Sequence, residues 1–192
     1  MINDFIYQQP KPDEPVITIR GSFPKLVYQQ TDATLQGIDV TAGYRLWPRL
    51  TLVGKTALLW ARNRSIDDWL IGMPGHRVTG ELVYQLTDKG RFSKTDIRVE
   101  VPTVFKQTRM PDETLHGKQD YAMPPDGYTL LNVQANTTVM IGKVPVGFGV
   151  GAYNLLNQRY RDYLNSFRYY TDALGTNINF RVKVPLQSIF KH

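Results

Sequence analysis

Asn177-Ile178-Asn179-Phe180-Arg181-Val182-Lys183-Val184-Pro185-Leu186 is the stretch on which the fold turns. Its even positions carry Ile178, Phe180, Val182, Val184 and Leu186, while Asn177, Asn179, Arg181 and Lys183 fill odd ones. Successive side chains of a strand point to opposite faces, so this alternation predicts a strand over 177–186 with one apolar and one polar face. Ten residues at about 3.3 Å each, tilted by about 45°, rise roughly 23 Å, close to the roughly 25 Å apolar band of an outer-membrane barrel.

The same pattern recurs upstream. Val146, Phe148, Val150 and Ala152 alternate with Gly147, Gly149 and Gly151 over 145–154, which leaves one face almost bare. Leu131, Val133, Ala135, Val139 and Ile141 alternate with Asn132, Gln134, Asn136 and Thr138, and Ile97, Val99 and Val101 with Asp96, Arg98 and Glu100. A strand over 26–46 closes with Ile38, Val40, Ala42, Tyr44 and Leu46 set against Asp39, Thr41, Gly43 and Arg45. Residues 78–86 and a partial strand over 3–7 follow the pattern less cleanly. Over 50–61, Val53 and Leu59 interrupt the polar face and leave inside and outside undecided. Pro102 sits inside a strand where proline removes a ladder hydrogen bond, so a bulge is expected there.

Short turns at 47–49, 87–94 and 142–144 alternate with long loops at about 8–22, 62–76, 109–127 and 158–175. That asymmetry belongs to outer-membrane barrels, whose long loops lie outside the cell. Tyr44, Trp47 and Tyr84 fall toward the short turns and Trp60 and Phe105 toward the long loops, as two interfacial girdles would.

Composition narrows the function. No stretch approaches the roughly 20 apolar residues of a membrane helix. The absence of cysteine removes disulfides, thiolate metal sites and thiol nucleophiles. The net charge of +6 comes from Lys and Arg scattered through strands and turns, not clustered, so no nucleic-acid partner is expected. The glycines at 147, 149 and 151 are no phosphate loop, because alternation runs straight through them where a nucleotide fingerprint needs a helix. His76, His116 and His192 lack metal-ligand spacing and read as solvated loop residues. Asp67-Asp68 and Asp112-Glu113 read as charged loop tips, and Ser65, Ser93 and Ser166 fall in no nucleophile motif. The expectation is a protein that is not an enzyme and needs no cofactor. In the 158–175 loop, Arg159, Tyr160, Tyr163, Arg168, Tyr169 and Tyr170 are the candidate ligand-binding residues, since Tyr and Arg suit an anionic, conjugated ligand. Packing of the loop upon itself is the competing reading.

Asn154-Leu155-Leu156-Asn157-Gln158-Arg159-Tyr160, then Tyr163, then Gly175-Thr176-Asn177-Ile178-Asn179-Phe180-Arg181-Val182 resembles the closing strands of TonB-dependent receptors, and Gln36-Gly37-Ile38-Asp39 resembles an earlier segment of that barrel. The resemblance implies an all-β, antiparallel transmembrane barrel, with residues 1–192 as about eight C-terminal strands of a larger, roughly 22-stranded barrel. It implies an outer-membrane receptor for energy-coupled uptake of a scarce nutrient, such as a ferric siderophore or another iron complex. The partners implied are outer-membrane lipid, the missing N-terminal strands and plug, and the TonB energy-coupling protein acting through that missing region. Residues 1–5 have no basic or apolar leader pattern and no plug is in the chain, so a fragment of a longer receptor is expected. Family members finish on an aromatic residue, a part that falls here to Phe190. Two alternatives remain: an autonomous eight-stranded barrel of structural or adhesive role, and a soluble lipocalin-like binder with its faces inverted. The bare glycine face argues against filling a small bore.

Overall fold

A computed structural model describes residues 1–185, so Leu186, Phe190 and His192 lie outside the described residues. The strands are β1 (Ile2–Pro10), β2 (Val16–Thr18), β3 (Gly21–Phe23), β4 (Leu26–Trp47), β5 (Leu50–Asn63), β6 (Asp68–Trp69), β7 (Arg77–Gln85), β8 (Phe92–Val104), β9 (Tyr128–Thr129), β10 (Asn132–Ile141), β11 (Val144–Tyr153) and β12 (Asn177–Lys183). A short helix, α1 (Glu113–His116), and a 3₁₀ turn at Ser166–Tyr169 sit in the loops. One antiparallel sheet runs β1-β4-β5-β7-β8-β10-β11-β12, with β6 added to β5 and β9 to β8. β2 and β3 form a separate hairpin within the first long loop. Among the described residues β1 pairs only with β4 and β12 only with β11, so the sheet is open. A closed eight-stranded barrel would pair those two strands with each other.

Register sorts the side chains. Ile38 pairs with Leu58 and Tyr44 with Leu52; Leu52 pairs with Leu82, Leu82 with Val99, Val99 with Val133, Ala135 with Val150, and Val150 with Phe180. Paired residues share a face, so these side chains form one apolar surface across seven strands. The undecided strand is settled by the same register. Leu50, Leu52 and Leu58 join the apolar surface, and Val53 and Leu59 fall on the other side, where Val53 pairs with Glu81.

That other side carries a polar network. Glu81, only 8% exposed, accepts from Lys55 at 2.7 Å and Arg98 at 3.2 Å, and Arg98 also pairs with Asp96 at 2.8 Å. Glu81 stands directly opposite Glu100, a destabilising arrangement that these cations offset. Glu100 and Asp96 in turn accept from Asn132 and Asn136. The glycine face is not bare. A Cβ on Gly149 would meet Asn136 Oδ1 at 2.8 Å, and one on Gly151 would meet Tyr153 at 2.9 Å, so neighbouring side chains occupy the space that the glycines leave.

Four local details depart from simple alternation. Between Arg45 and Trp47 the register slips by one residue, which sets Trp47 opposite Leu50 and turns it to the apolar surface. A second slip, with Lys94 at φ 50°, sets Phe92 opposite Val139 on that surface. A bulge re-aims side chains in this way, and both join Tyr44 and Tyr84 near the short turns. Pro102 causes no bulge. It stays in register with Thr79, and in the gap between β9 and β10 its carbonyl accepts from the Leu130 amide at 2.9 Å, while the return bond that its missing N–H would make is absent. Among the described residues the last strand ends at Lys183, with Val184 and Pro185 outside it, earlier than alternation predicts. Extending its register sets Pro185 opposite Pro145, and neither residue can donate to the ladder.

Candidate functional site

The long loops meet at one end of the sheet and are joined by side chains distant in sequence. Arg168 forms an ion pair with Asp120, and both side chains are almost fully buried, at 7% and 4% exposure. Tyr169 donates to Asp120 at 2.6 Å, and Arg168 reaches the Tyr169 hydroxyl at 3.0 Å. The guanidinium also lies 4.4 Å from the Tyr169 ring centre and 4.7 Å from that of Tyr163. Two aromatic faces, a carboxylate and a hydroxyl thus compensate the buried cation. Burial, reinforced by the Asp120 carboxylate, raises the Tyr169 phenol above its ordinary range.

Tyr163 links two further loops. Its hydroxyl accepts from the Gly72 amide at 3.3 Å and donates to the Met110 sulfur at 3.1 Å. Burial pushes its phenol up to about 12. Tyr160 packs against Tyr128 with ring centres 4.2 Å apart, and Tyr128 donates to Asp162 at 2.7 Å. Arg159 is exposed and borders a neighbouring cleft with Tyr160, Asp126 and Asp172.

Tyr163, Arg168, Tyr169 and Tyr170 instead wall a cavity of about 400 Å³, together with Tyr7, Phe23, Ile71, Met73, Asp120 and Phe167. The six candidates therefore divide between two clefts. Four of them, Tyr160, Tyr163, Arg168 and Tyr169, have their polar or aromatic groups engaged within the protein, whereas Tyr170 is 53% exposed at the cavity wall. The packing is between loops more than within one. Asp120, the counter-charge of the cluster, was not singled out by its sequence context, because a lone loop acid 48 residues from its partner carries no local signal.

The asparagine motif has a structural part. Asn154, buried and at φ 49°, donates to the Gln158 carbonyl at 2.9 Å and the Leu174 carbonyl at 3.3 Å, and accepts from the Gln158 amide at 2.8 Å. Its own amide donates to Asn132 at 3.0 Å. Asn157 accepts from the Thr176 amide at 3.2 Å, and a Cβ at Gly175 would strike the Asn157 side-chain oxygen at 2.4 Å. Asn154, Asn157 and Gly175 thus clasp both ends of the loop where it leaves and rejoins the sheet.

One expectation for the loop residues needs correction. His76 is not a solvated histidine: its ring packs edge-on against Trp60 with centres 5.0 Å apart and takes a hydrogen bond from Arg109 at 2.8 Å. Burial, then the Arg109 charge, lowers its pKa and favours the neutral ring. In the acid pairs Asp67, Asp112 and Glu113 are exposed, as charged tips are expected to be, and two of the four acids also bond within the loops. Asp112 caps α1 through the Thr114 amide at 2.8 Å, while Asp68 accepts from the Asp112 amide at 2.8 Å and lies 3.4 Å from His116. Ser65 is a hydrogen-bond partner of Thr31 at 2.8 Å.

No protein-family model matches the sequence, and no curated protein matches it. A solved structure, the copper transporter OprC, is similar in fold, with a TM-score of 0.67 at 18% identity, over 93% of this chain and 27% of that one. The chain thus spans about a quarter of the length of the structure it matches. At that identity the likeness speaks to architecture alone, and with the sheet order it leads to one conclusion: the chain is all-β, one large antiparallel sheet similar in fold to part of that transporter.

Proposed function

We propose that this chain forms part of the wall and outer loops of an outer-membrane transporter that takes up a scarce nutrient, with an iron complex such as a ferric siderophore as cargo. The observation that carries the reading is the aromatic cavity of about 400 Å³ among the long loops. Its volume falls within the range of small-molecule sites. Tyr7, Phe23, Phe167 and Tyr170 provide flat faces for a conjugated ligand shell, and the buried Arg168–Asp120 pair fixes the loop that presents them. In this reading Tyr163, Arg168 and Tyr169 hold the wall, Tyr170 meets the ligand, and Arg159 and Tyr160 border an adjoining approach. Energy coupling through TonB belongs to parts of the receptor outside this chain. Likeness to a copper transporter supports transport of a metal species.

The test is uptake by the full-length transporter of a labelled ferric catecholate complex and, separately, of copper(II). Phe167→Ala with Tyr170→Ala should reduce ferric-complex uptake about tenfold, since exposed aromatic anchors often dominate binding. Unchanged uptake overturns the cavity assignment, and transport of copper(II) alone overturns the cargo.

A further inference from the structure

We propose that the cleft lined by Trp60, Arg62, Arg64 and Trp69, on the apolar side of the sheet at the loop end, binds a phosphate-bearing lipid headgroup. The proposal rests on the reading of this sheet as a membrane wall.

Register places the four residues. Thr34 pairs with Arg62, Gln36 with Trp60 and Ile38 with Leu58, without interruption. The Arg64 amide bonds to the Asp32 carbonyl at 2.8 Å and continues the same ladder. On β6, Trp69 pairs with Arg62. All four therefore share the face of Ile38, Leu58 and Val40, whereas Ala33, Ala61 and Leu70 form a small core on the opposite side. Counted up β5 from Leu50 at the short-turn end, Trp60 stands roughly 23 Å higher and Arg62 roughly 28 Å higher along the normal of a tilted strand. An apolar band of roughly 25 Å ends between them. A tryptophan at the edge of hydrocarbon with arginines just above it is the order of groups that a lipid interface favours.

The cleft, about 430 Å³, is also shaped for an anion. Arg62 is held over the Trp69 ring, 4.7 Å from its centre. Among the described residues Arg64 has no carboxylate within ion-pair distance, and its guanidinium lies 2.7 Å from the Met1 sulfur. The neighbouring acids do not neutralise the pair. Asp67 is 3.8 Å from Arg62 but 99% exposed, and an ion pair so exposed contributes little and yields readily to a phosphate. Asp32 accepts from the Asp4 amide at 3.2 Å, and Asp68 accepts from the Asp112 amide. Two guanidinium forks offer bidentate contact to phosphate oxygens. The apolar surface below them would receive acyl chains from the same lipid, which a free anion lacks. None of the residues of the aromatic loop cavity takes part.

The full-length transporter and its R62Q/R64Q variant, delipidated in mild detergent, are titrated by native mass spectrometry with diphosphorylated lipid A, dephosphorylated lipid A and inorganic phosphate. The variant should bind the diphosphorylated lipid about tenfold or more weakly, with the dephosphorylated lipid equal in both. R62K/R64K, which keeps charge and loses the forks, should fall between them. Equal affinity of wild type and R62Q/R64Q for the diphosphorylated lipid overturns the proposal, as does displacement of that lipid by an equal concentration of inorganic phosphate, which would mark a small-anion site. Insertion into phosphatidylcholine vesicles, read as heat-modifiable mobility, separates the two readings. Failure of the wild type to insert removes the membrane wall, whereas normal insertion with unchanged lipid affinity removes the headgroup site alone.

Discussion

The two ends of this sheet are built on different principles. At one end β4 and β5, β7 and β8, and β10 and β11 are joined by short connections, and the main irregularities are single-residue slips at Trp47 and Lys94. At the other end the connections are long and bound to one another: Arg168 to Asp120, Tyr163 to Gly72 and Met110, Gln9 to Gln119, and Tyr121 to the Lys25 amide. Short turns need little beyond local chain geometry. Long loops must recover the entropy of ordering, and here they do so with buried polar and aromatic contacts between segments 48 to 110 residues apart. Order at the loop end is thus a tertiary property, and the expected outcome of removing its contacts is loop disorder over an intact sheet.

Arg168→Ala should show this most strongly. It leaves the Asp120 carboxylate buried without its cation, a change that costs about 3 to 5 kcal/mol at such sites. Hydrogen exchange should lose protection together in residues 105–131 and 154–176, while β8, β10 and β11 stay protected. Uniform loss over both regions would mean that the loops and the sheet are one cooperative unit.

The sheet itself is probed by Val99→Arg, which puts a charge between Leu82 and Val133 on the apolar surface. Near the bilayer midplane this should cost about 2 to 4 kcal/mol in a reversible bilayer-folding measurement, against less than about 0.5 kcal/mol for Lys183→Gln on the other face. The reverse order would invert the face assignment.

Asn154→Ala acts at the junction of the two regions. It strands the Gln158 amide and the Leu174 carbonyl, at a cost of about 1 to 3 kcal/mol in equilibrium unfolding. Asn154→Gly, which accepts the positive φ but makes no clasp, should cost much the same; recovery with glycine would show that backbone conformation, not hydrogen bonding, is what matters.

The smallest effect is a titration. Tyr163 has its phenol pushed up to about 12 from 10.0 by burial, so the folded loops favour its protonated form. The stability this contributes is complete below pH about 10 and is lost as pH rises toward about 12. Tyrosinate absorbance of the wild type minus that of Tyr163→Phe should show this late step, and a difference step at pH about 10 would mean that the loop end is already open.

Much of this was open to reading from residue order. Strands, their faces and the asymmetry of their connections follow from a period of two and from turn composition, both local. The six aromatic and cationic residues of the last loop were likewise visible as a group. Their division was not: nothing near Arg159 and Tyr170 marks them as the exposed members, and nothing near Asp120 marks it as the partner of Arg168.

What the sequence by itself determined is the all-β class, the apolar surface over β4, β8, β10, β11 and β12, and which end of the sheet carries long loops, because alternation is imposed by the pleat one residue at a time. Tertiary structure alone decided the sidedness of β5, the turning of Trp47 and Phe92 to the apolar surface, and the assembly of Asp120 with Arg168 and Tyr169. Each depends on register or on a contact across loops, and neither can be computed from one strand's own residues. A shift of one residue exchanges the faces of a strand, and only its neighbours fix that shift.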